Sequence, residues 1–322
     1  MKTHSASALR QKGFSLIELM VSLTIGLVIM LAVISAYLGA AGAGRTAEAI
    51  GRMNEDAQTA LTILSQQMRM AGVNPSQTDR GTGTTLNVRG NSMPLHNTLT
   101  NAFAIRGCDV TFSNITSSAT TLGLTCGHTA SSTGPDSISI AYEADRYNTV
   151  PTSAFVPTDC MGSRITPTTA TYTPASTTTV ATATIYEAEN RFYIGTSTVI
   201  INPTLYCKGN GTSVGQPLIE NIDNLQFRYG TSNPTSTPTR VQGYLSAYDV
   251  ENNNTLANPV GGTKDRWNTV KTVRICVIAR SENPVMETNA MAQYRDCSGS
   301  LITPTDKRLR RAYTTTVILR NQ

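Results

Sequence analysis

The sequence is poor in charge and in the residue combinations that build enzyme sites. Asp, Glu, Lys and Arg make up only 15% of it, the formal charge is +5, and there are three histidines and one tryptophan. No Lys/Arg cluster is interleaved with aromatics, which argues against a nucleic-acid-binding surface. The densest basic stretch, "DKRLRR" at 306–311, reads as a solvated turn or the start of a strand. Phosphate-binding loops are missing, since no Walker A motif occurs and "GNGTSVG" fails the dinucleotide pattern. "GTSVG", Gly211 to Gly215, matches the hydrolase pentapeptide around Ser213, but in α/β-hydrolases the histidine follows the serine. Here His4, His96 and His128 all precede it. His96 and His128 stand alone as metal ligands. "YDVENNN" at 248–254 lacks EF-hand spacing and the distal glutamate, so it reads as a solvated Asx-rich turn. No catalytic residue, metal or cofactor is expected.

C-x-x-C pairs are also lacking. The six cysteines, Cys108, Cys126, Cys160, Cys207, Cys276 and Cys297, are widely spaced and even in number. That pattern reads as a disulfide framework formed in an oxidising compartment, provided the N-terminal segment directs export. Six cysteines admit too many pairings for sequence to choose. Short separation favours Cys108 with Cys126 and Cys276 with Cys297, as staples of local hairpins.

Two further absences are informative. No residue from Leu19 to Gly44 is charged, and no proline falls between Phe14 and Val73. As a helix the uncharged stretch is about 39 Å long, enough to cross a bilayer core of about 30 Å. Lys2, Arg10 and Lys12 precede it, and without these three charges the net +5 would fall to +2. An ordinary secretory signal would place a small-residue cleavage site behind the apolar run. Here the processing site, Gly13 followed by Phe14, lies in front, so cleavage would leave the apolar helix on the mature chain. One carboxylate, Glu18, interrupts the run. Buried among apolar helices it would need a cation beside it, and the available one is the amine of Phe14, on the same chain or on a neighbour.

"KGFSLIELMVSL" resembles the class III leader and mature N-terminus of the type IV pilin superfamily, with Gly13 before the cut, Phe14 as the new first residue and Glu18 fifth in the mature chain. The resemblance implies that a prepilin peptidase removes residues 1–13 and N-methylates Phe14. It also implies that Glu18 neutralises the N-terminal amine of an adjacent subunit during assembly. Many major pilins carry a helix-breaking proline in the apolar half, and this chain lacks one, with Gly26 as the remaining weak point.

Beyond Arg45, Ala47, Ile50, Met53, Ala57, Leu61, Leu64, Met68 and Ala71 recur at steps of three or four, which predicts an amphipathic helix. Gly72 is suited to cap it and Pro75 to stop it. The expected organisation is a leader at 1–13, a transmembrane and assembly helix at 14–44, its amphipathic second half at 45–72, and a head at 73–322. After residue 75 the composition turns to Thr, Ser, Asn, Gly and Pro with short β-branched runs. Strands are expected in "DSISIAYEA" (136–144), "NRFYIG" (190–195), "TVIIN" (198–202), "NLQFRYG" (224–230), "VKTVRICVIAR" (270–280) and "AYTTTVILR" (312–320). In the fifth of these Val273, Ile275, Val277 and Ala279 share a core face, opposite Arg274, Cys276 and Ile278. The fold class expected is α+β, a long N-terminal helix whose first half spans a membrane, packed on a β-rich and mostly antiparallel globular head. The Thr-rich tracts at 166–184 and 230–240 read as loops or edge strands.

"ILSQQMRMAG", "LIENIDNLQFRYG", "VRICVIARS" and "YTTTVILRN", in this order, resemble PilW-type minor pilins and, less closely, the large minor pseudopilins of type II secretion. The resemblance implies a structural subunit that takes part in initiating pilus assembly and in a tip or priming complex, supporting adhesion and twitching motility. Implied partners are other minor pilins, the major pilin, a tip adhesin, the prepilin peptidase and the inner-membrane assembly platform. The implied location is the inner membrane, single-pass with a periplasmic head, and after assembly the fibre or its tip at the cell surface. A minor pseudopilin, or a membrane-anchored periplasmic enzyme or receptor using the helix only as a tether, are the alternatives.

Overall fold

A computed structural model of the chain describes Gly13 and residues 15–73, 77–78, 85–86, 104–118, 123–172, 181–212, 214–232, 240–253, 256 and 263–320. The elements in chain order are α1 (Leu16–Met70), β1 (Gln77–Thr78), β2 (Thr85–Leu86), β3 (Ile105–Cys108), β4 (Ser137–Glu143), β5 (Thr168–Tyr172), β6 (Ala181–Ile185), β7 (Glu187–Gly195) and β8 (Thr204–Gly209). Then follow β9 (Gln216–Glu220), β10 (Ile222–Ser232), β11 (Val241–Leu245), α2 (Ala247–Asn252), α3 (Thr263–Asn268), β12 (Val270–Arg280), β13 (Tyr294–Arg295), β14 (Leu301–Ile302) and β15 (Arg310–Ile318). By internal packing the chain divides into two units, Met1–Ala49 and Ile50–Gln322.

In the first unit the helix carries its apolar side chains outward. From Leu16 to Leu38 every large apolar side chain is between 49% and 79% exposed. Each is worth roughly 1.5–3 kcal/mol when removed from water, so this surface is stable only under lipid or under other helices. The expected apolar helix is present and is long and apolar enough to cross a membrane.

In the second unit the helix is amphipathic. Met53, Ala57, Ala60, Leu61, Leu64 and Met68 are buried, at the three- and four-residue steps that place them on one stripe. Ala47 and Ile50 continue the same period toward the N-terminus, yet both are exposed, because the core of the head begins at Met53. The helix stops where Gly72 takes φ +72, a left-handed conformation that glycine adopts without a Cβ clash. The Gly72 amide donates to Ala141 O at 2.9 Å, and Glu143 N donates to Val73 O at 2.8 Å, which ties the helix exit to β4.

Among the described residues the head comprises two antiparallel sheets, in the orders β3-β4-β7-β8-β9 and β11-β10-β12-β15, and three two-stranded hairpins, β1-β2, β5-β6 and β13-β14. Among the described residues every strand pairing is antiparallel. Strand β4 is buried throughout. Ile138, Ile140 and Tyr142 face the main core, and Ser137 survives burial because its hydroxyl donates to Val110 O and accepts from Phe112 N. Strand β10 contributes Leu225, Phe227 and Tyr229 to the same core, and β12 contributes Val273, Ile275, Val277 and Ala279. On the opposite face of β12, Arg274 is exposed, but Cys276 and Ile278 are buried as well.

One strand expectation changes. "TVIIN" is not a strand: Val199 is 88% exposed and Ile201 81% exposed, in the turn between β7 and β8. There the Ser197 hydroxyl accepts from the Val199 and Ile200 amides, a Ser-turn that competes with a ladder, and Pro203 has no amide to donate. The buried strand is the following segment, "TLYCKG". Within the Thr-rich tract at 166–184, β5 and β6 pair in register from Thr168↔Ile185 to Tyr172↔Ala181. Residues 233–239 of the second tract lie outside the described residues.

Candidate functional site

Glu18 sits in the first turn of α1, and its place there follows from local sequence. Ser15 and Glu18 form a capping box: the Glu18 amide donates to Ser15 Oγ at 3.2 Å, and the Ser15 amide donates to Glu18 Oε2 at 2.9 Å. A carboxylate in a first helical turn also faces the positive end of the helix dipole. The S-x-x-E signal was present in "SLIE" and was not read as a cap from sequence. Gly13 is exposed just ahead of this box, and Phe14 lies outside the described residues.

The hydroxyls of the apolar segment are used inside the helix. Ser22 donates to Glu18 O at 2.7 Å, Thr24 to Val21 O at 2.9 Å and Ser35 to Ala32 O at 2.9 Å. With these donors satisfied, the outer surface from Leu19 to Leu38 is apolar, and Glu18 is the acidic group at its entry.

In the head, three disulfides join Cys108 to Cys126, Cys160 to Cys207 and Cys276 to Cys297, with Cα separations of 5.7, 6.6 and 5.9 Å. The first ties β3 to the segment before β4, the second ties β8 to the loop after β4, and the third ties β12 to the segment between β13 and β14. Cys108, Cys126 and His128 bring potential ligand atoms within 4.8 Å of one another, but the two sulfurs are bonded to each other and offer no thiolate.

His128 is not isolated. Its side chain lies between Asp109 and Glu251, with Nδ1 accepting from the Asp109 amide at 3.3 Å and Nε2 3.5 Å from a Glu251 carboxylate oxygen. Asp109 accepts the amides of Ala247 and Tyr248 at 2.8 Å each. Arg106 donates to Glu251 at 2.9 Å, and Trp267 Nε1 donates to the same carboxylate at 3.3 Å. Burial pushes the Glu251 pKa up, but hydrogen bonds from His128 and Arg106 outweigh it and hold the group below its usual range. "YDVENNN" is accordingly not a solvated turn: Ser246 and Asp249 cap α2, which turns Glu251 inward to hold β3 against α3. This is a structural network, since each group is spent on another part of the head.

"DKRLRR" begins β15, as one of its two readings held, but Arg310 is paired rather than solvated. It donates to Asp223 and, through two nitrogens, to Asp306 at 2.7 Å each. The hydrogen bond from Arg310 holds Asp306 down at about 2. Ser213 lies outside the described residues, as do His4 and His96.

Residues 9–34 match the Prokaryotic N-terminal methylation motif, and residues 191–321 match the family described as Type IV Pilus-assembly protein W. The first match covers Gly13, Phe14 and Glu18 with the apolar helix behind them. The second begins within β7 and takes in the whole of the four-stranded sheet. No curated protein and no solved structure matches the chain.

Proposed function

We propose that the chain is a PilW-like minor pilin of the type IV pilin superfamily, which enters a pilus fibre through its N-terminal helix and acts there without catalysis. Removal of residues 1–13 exposes the Phe14 amine, which is methylated, and Glu18 of one subunit neutralises the amine of another. The observation that carries this reading is the pairing of Glu18 with a helix surface that the single chain leaves uncovered, within a matched methylation motif. A carboxylate among apolar helices is costly unless a cation lies beside it, so the pair favours an incoming helix in one register.

Before assembly the helix holds the protein in the inner membrane with its head in the periplasm. The head takes part in initiating assembly with other minor pilins and the major pilin, and in a tip complex with an adhesin that supports attachment and twitching. The peptidase and the inner-membrane assembly platform are the remaining partners. Because the head match is to a family described by pilus assembly, the fibre is taken to be a pilus rather than the short fibre of type II secretion.

The test is Glu18→Ala, followed by immunoblotting of membranes and of sheared pili. Membrane levels should be unchanged and the sheared fraction depleted at least tenfold. Wild-type recovery in sheared pili would sink the salt-bridge role. Mass spectrometry of the native N-terminus should give methylated Phe14, and an unprocessed Met1 would contradict the cut.

A further inference from the structure

The outer face of the four-stranded sheet carries a groove of about 650 Å³, within the range of small-ligand sites. Strand alternation builds its floor. While Leu225, Phe227 and Tyr229 of β10 point into the core, Asn224, Gln226 and Arg228 point outward, and β12 turns Arg274 out beside them. One wall comes from Ser132 and Thr133, and the other from Asp296 to Ser298. Both walls are fastened to the floor. The Cys276–Cys297 disulfide anchors one, and on the other side Gln226 donates to Gly134 O at 2.8 Å.

Arg228 and Arg274 are direct cross-strand partners in the β10/β12 register. Like charges directly opposite on one face destabilise a sheet. Among the described residues no carboxylate lies within ion-pair distance of either guanidinium. Asp296, the acid in the groove, is engaged in its own turn, where it accepts from Ser298 N, Ser298 Oγ and Ser300 N. Arg274 is instead laid over the Tyr244 ring at 4.3 Å, which fixes its plane without neutralising it. The result is two cations side by side in a prebuilt concavity, Arg274 held over an aromatic ring and Arg228 exposed, with buried Asp136 acting on Arg228 only through its field and not as an ion pair.

The rest of the lining narrows the ligand. Thr133, Asn224, Ser298 and Thr314 present neutral hydroxyl and amide groups of the kind that meet sugar hydroxyls. The floor is a sheet face and not an edge, so a peptide has no open ladder to extend. The Tyr244 ring is covered by Arg274 and offers no stacking platform for a base, and two arginines without lysines are too few for a phosphate polymer.

We propose that this groove binds an anionic saccharide, with a carboxylate or sulfate held between Arg228 and Arg274 and the sugar hydroxyls met by the neutral lining. The proposal concerns the head alone and does not depend on how the helix assembles.

The experiment is calorimetric titration of the full chain in detergent with digalacturonate, with a sulfated chondroitin disaccharide, with neutral diacetylchitobiose and with inorganic sulfate. At least one anionic disaccharide should bind saturably, and at least tenfold more tightly than chitobiose or free sulfate. Whichever binds identifies the anion as carboxylate or sulfate. Arg228→Gln and Arg274→Gln should each weaken that binding at least tenfold, while the ligand-free thermal midpoint of Arg228→Gln stays equal to or above that of the parent, because the cross-strand repulsion is gone. The proposal is overturned if neither anionic disaccharide binds, if both variants bind as the parent does, or if chitobiose or sulfate binds equally well. It is equally overturned if a single-stranded oligonucleotide or polyglutamate binds more tightly, or if Arg228→Gln lowers the midpoint.

Discussion

Glu187 opens β7 directly across from Glu143 of β4, two residues before Glu189. Burial, with the Glu189 charge adding to it, raises its pKa from 4.5 to about 7. The unfolded chain ionises this group above about pH 4.5, whereas the folded chain keeps its proton until about 7. Over that window the native state binds more protons, so this residue's contribution to stability falls as pH rises. A shift of this size corresponds to at most about 3 kcal/mol, and the partial exposure of the side chain lowers the expectation to about 1–2 kcal/mol. Glu187→Gln keeps the shape and removes the ionisation. The variant should match the parent at pH 4.5 and be more stable by about 1–2 kcal/mol at pH 8, with the gap opening between the two. Trp267, the single tryptophan, is buried edge-on to Tyr229 at 4.8 Å and provides the fluorescence probe for urea unfolding. Other groups titrate in the same window, so the quantity to read is the difference between variant and parent. A difference that is constant from pH 4.5 to 8 would refute the reasoning, whatever its sign.

Replacing both Cys160 and Cys207 by Ser opens a link across a separation of 47 residues and should cost about 2–4 kcal/mol, read as a lower urea midpoint with an unchanged fluorescence spectrum of the native state. Gly107→Ala would place a Cβ 1.8 Å from the Tyr229 hydroxyl and should cost about 1–3 kcal/mol of overpacking. Because that buried hydroxyl has no hydrogen-bond partner among the described residues, Tyr229→Phe should cost little by itself and should recover part of the Gly107→Ala loss in the double variant.

What could be read from sequence was what local periodicity determines. The apolar helix, its amphipathic continuation and the inward face of β12 each follow from a repeat visible within a dozen residues. The cap at Gly72 is equally local. The failures come from long-range structure. "TVIIN" has the composition of a strand, but a serine turn and a following proline leave it no partner, and the pairing of β8 with β7 and β9 goes to the next segment. "YDVENNN" looks like a solvated turn because nothing nearby shows that Glu251 meets Arg106 and His128, the former 145 residues earlier in the chain. The alternation of β12 held on both faces, with Arg274, Cys276 and Ile278 sharing the side opposite the core, although the repeat does not show that Cys276 and Ile278 are buried there. The cross-strand arginines were invisible for the same reason. Arg228 and Arg274 become a pair only through the β10/β12 register, which neither strand specifies alone.

The capping box at the helix entry sharpens what Glu18 has to do. A carboxylate has two oxygens and about four acceptor sites, and the cap uses Oε2 for one amide. Glu18 is exposed, and no hydrogen bond to Oε1 is present among the described residues, so on the proposed assembly reading one side chain both starts its own helix and receives the amine of a neighbour. The two tasks reinforce each other, since the Ser15 amide restrains the carboxylate and lowers the entropy cost of presenting it to an incoming charge. They also separate on substitution. Glu18→Gln keeps a capping side chain and loses the charge, whereas Ser15→Ala keeps the charge and loosens the cap. If charge pairing governs assembly, the glutamine variant should fail in the sheared fraction as fully as Glu18→Ala, and the Ser15→Ala variant should be only mildly reduced. The reverse order, with Ser15→Ala the more defective, would mean that helix initiation and not the ion pair is the role of this carboxylate.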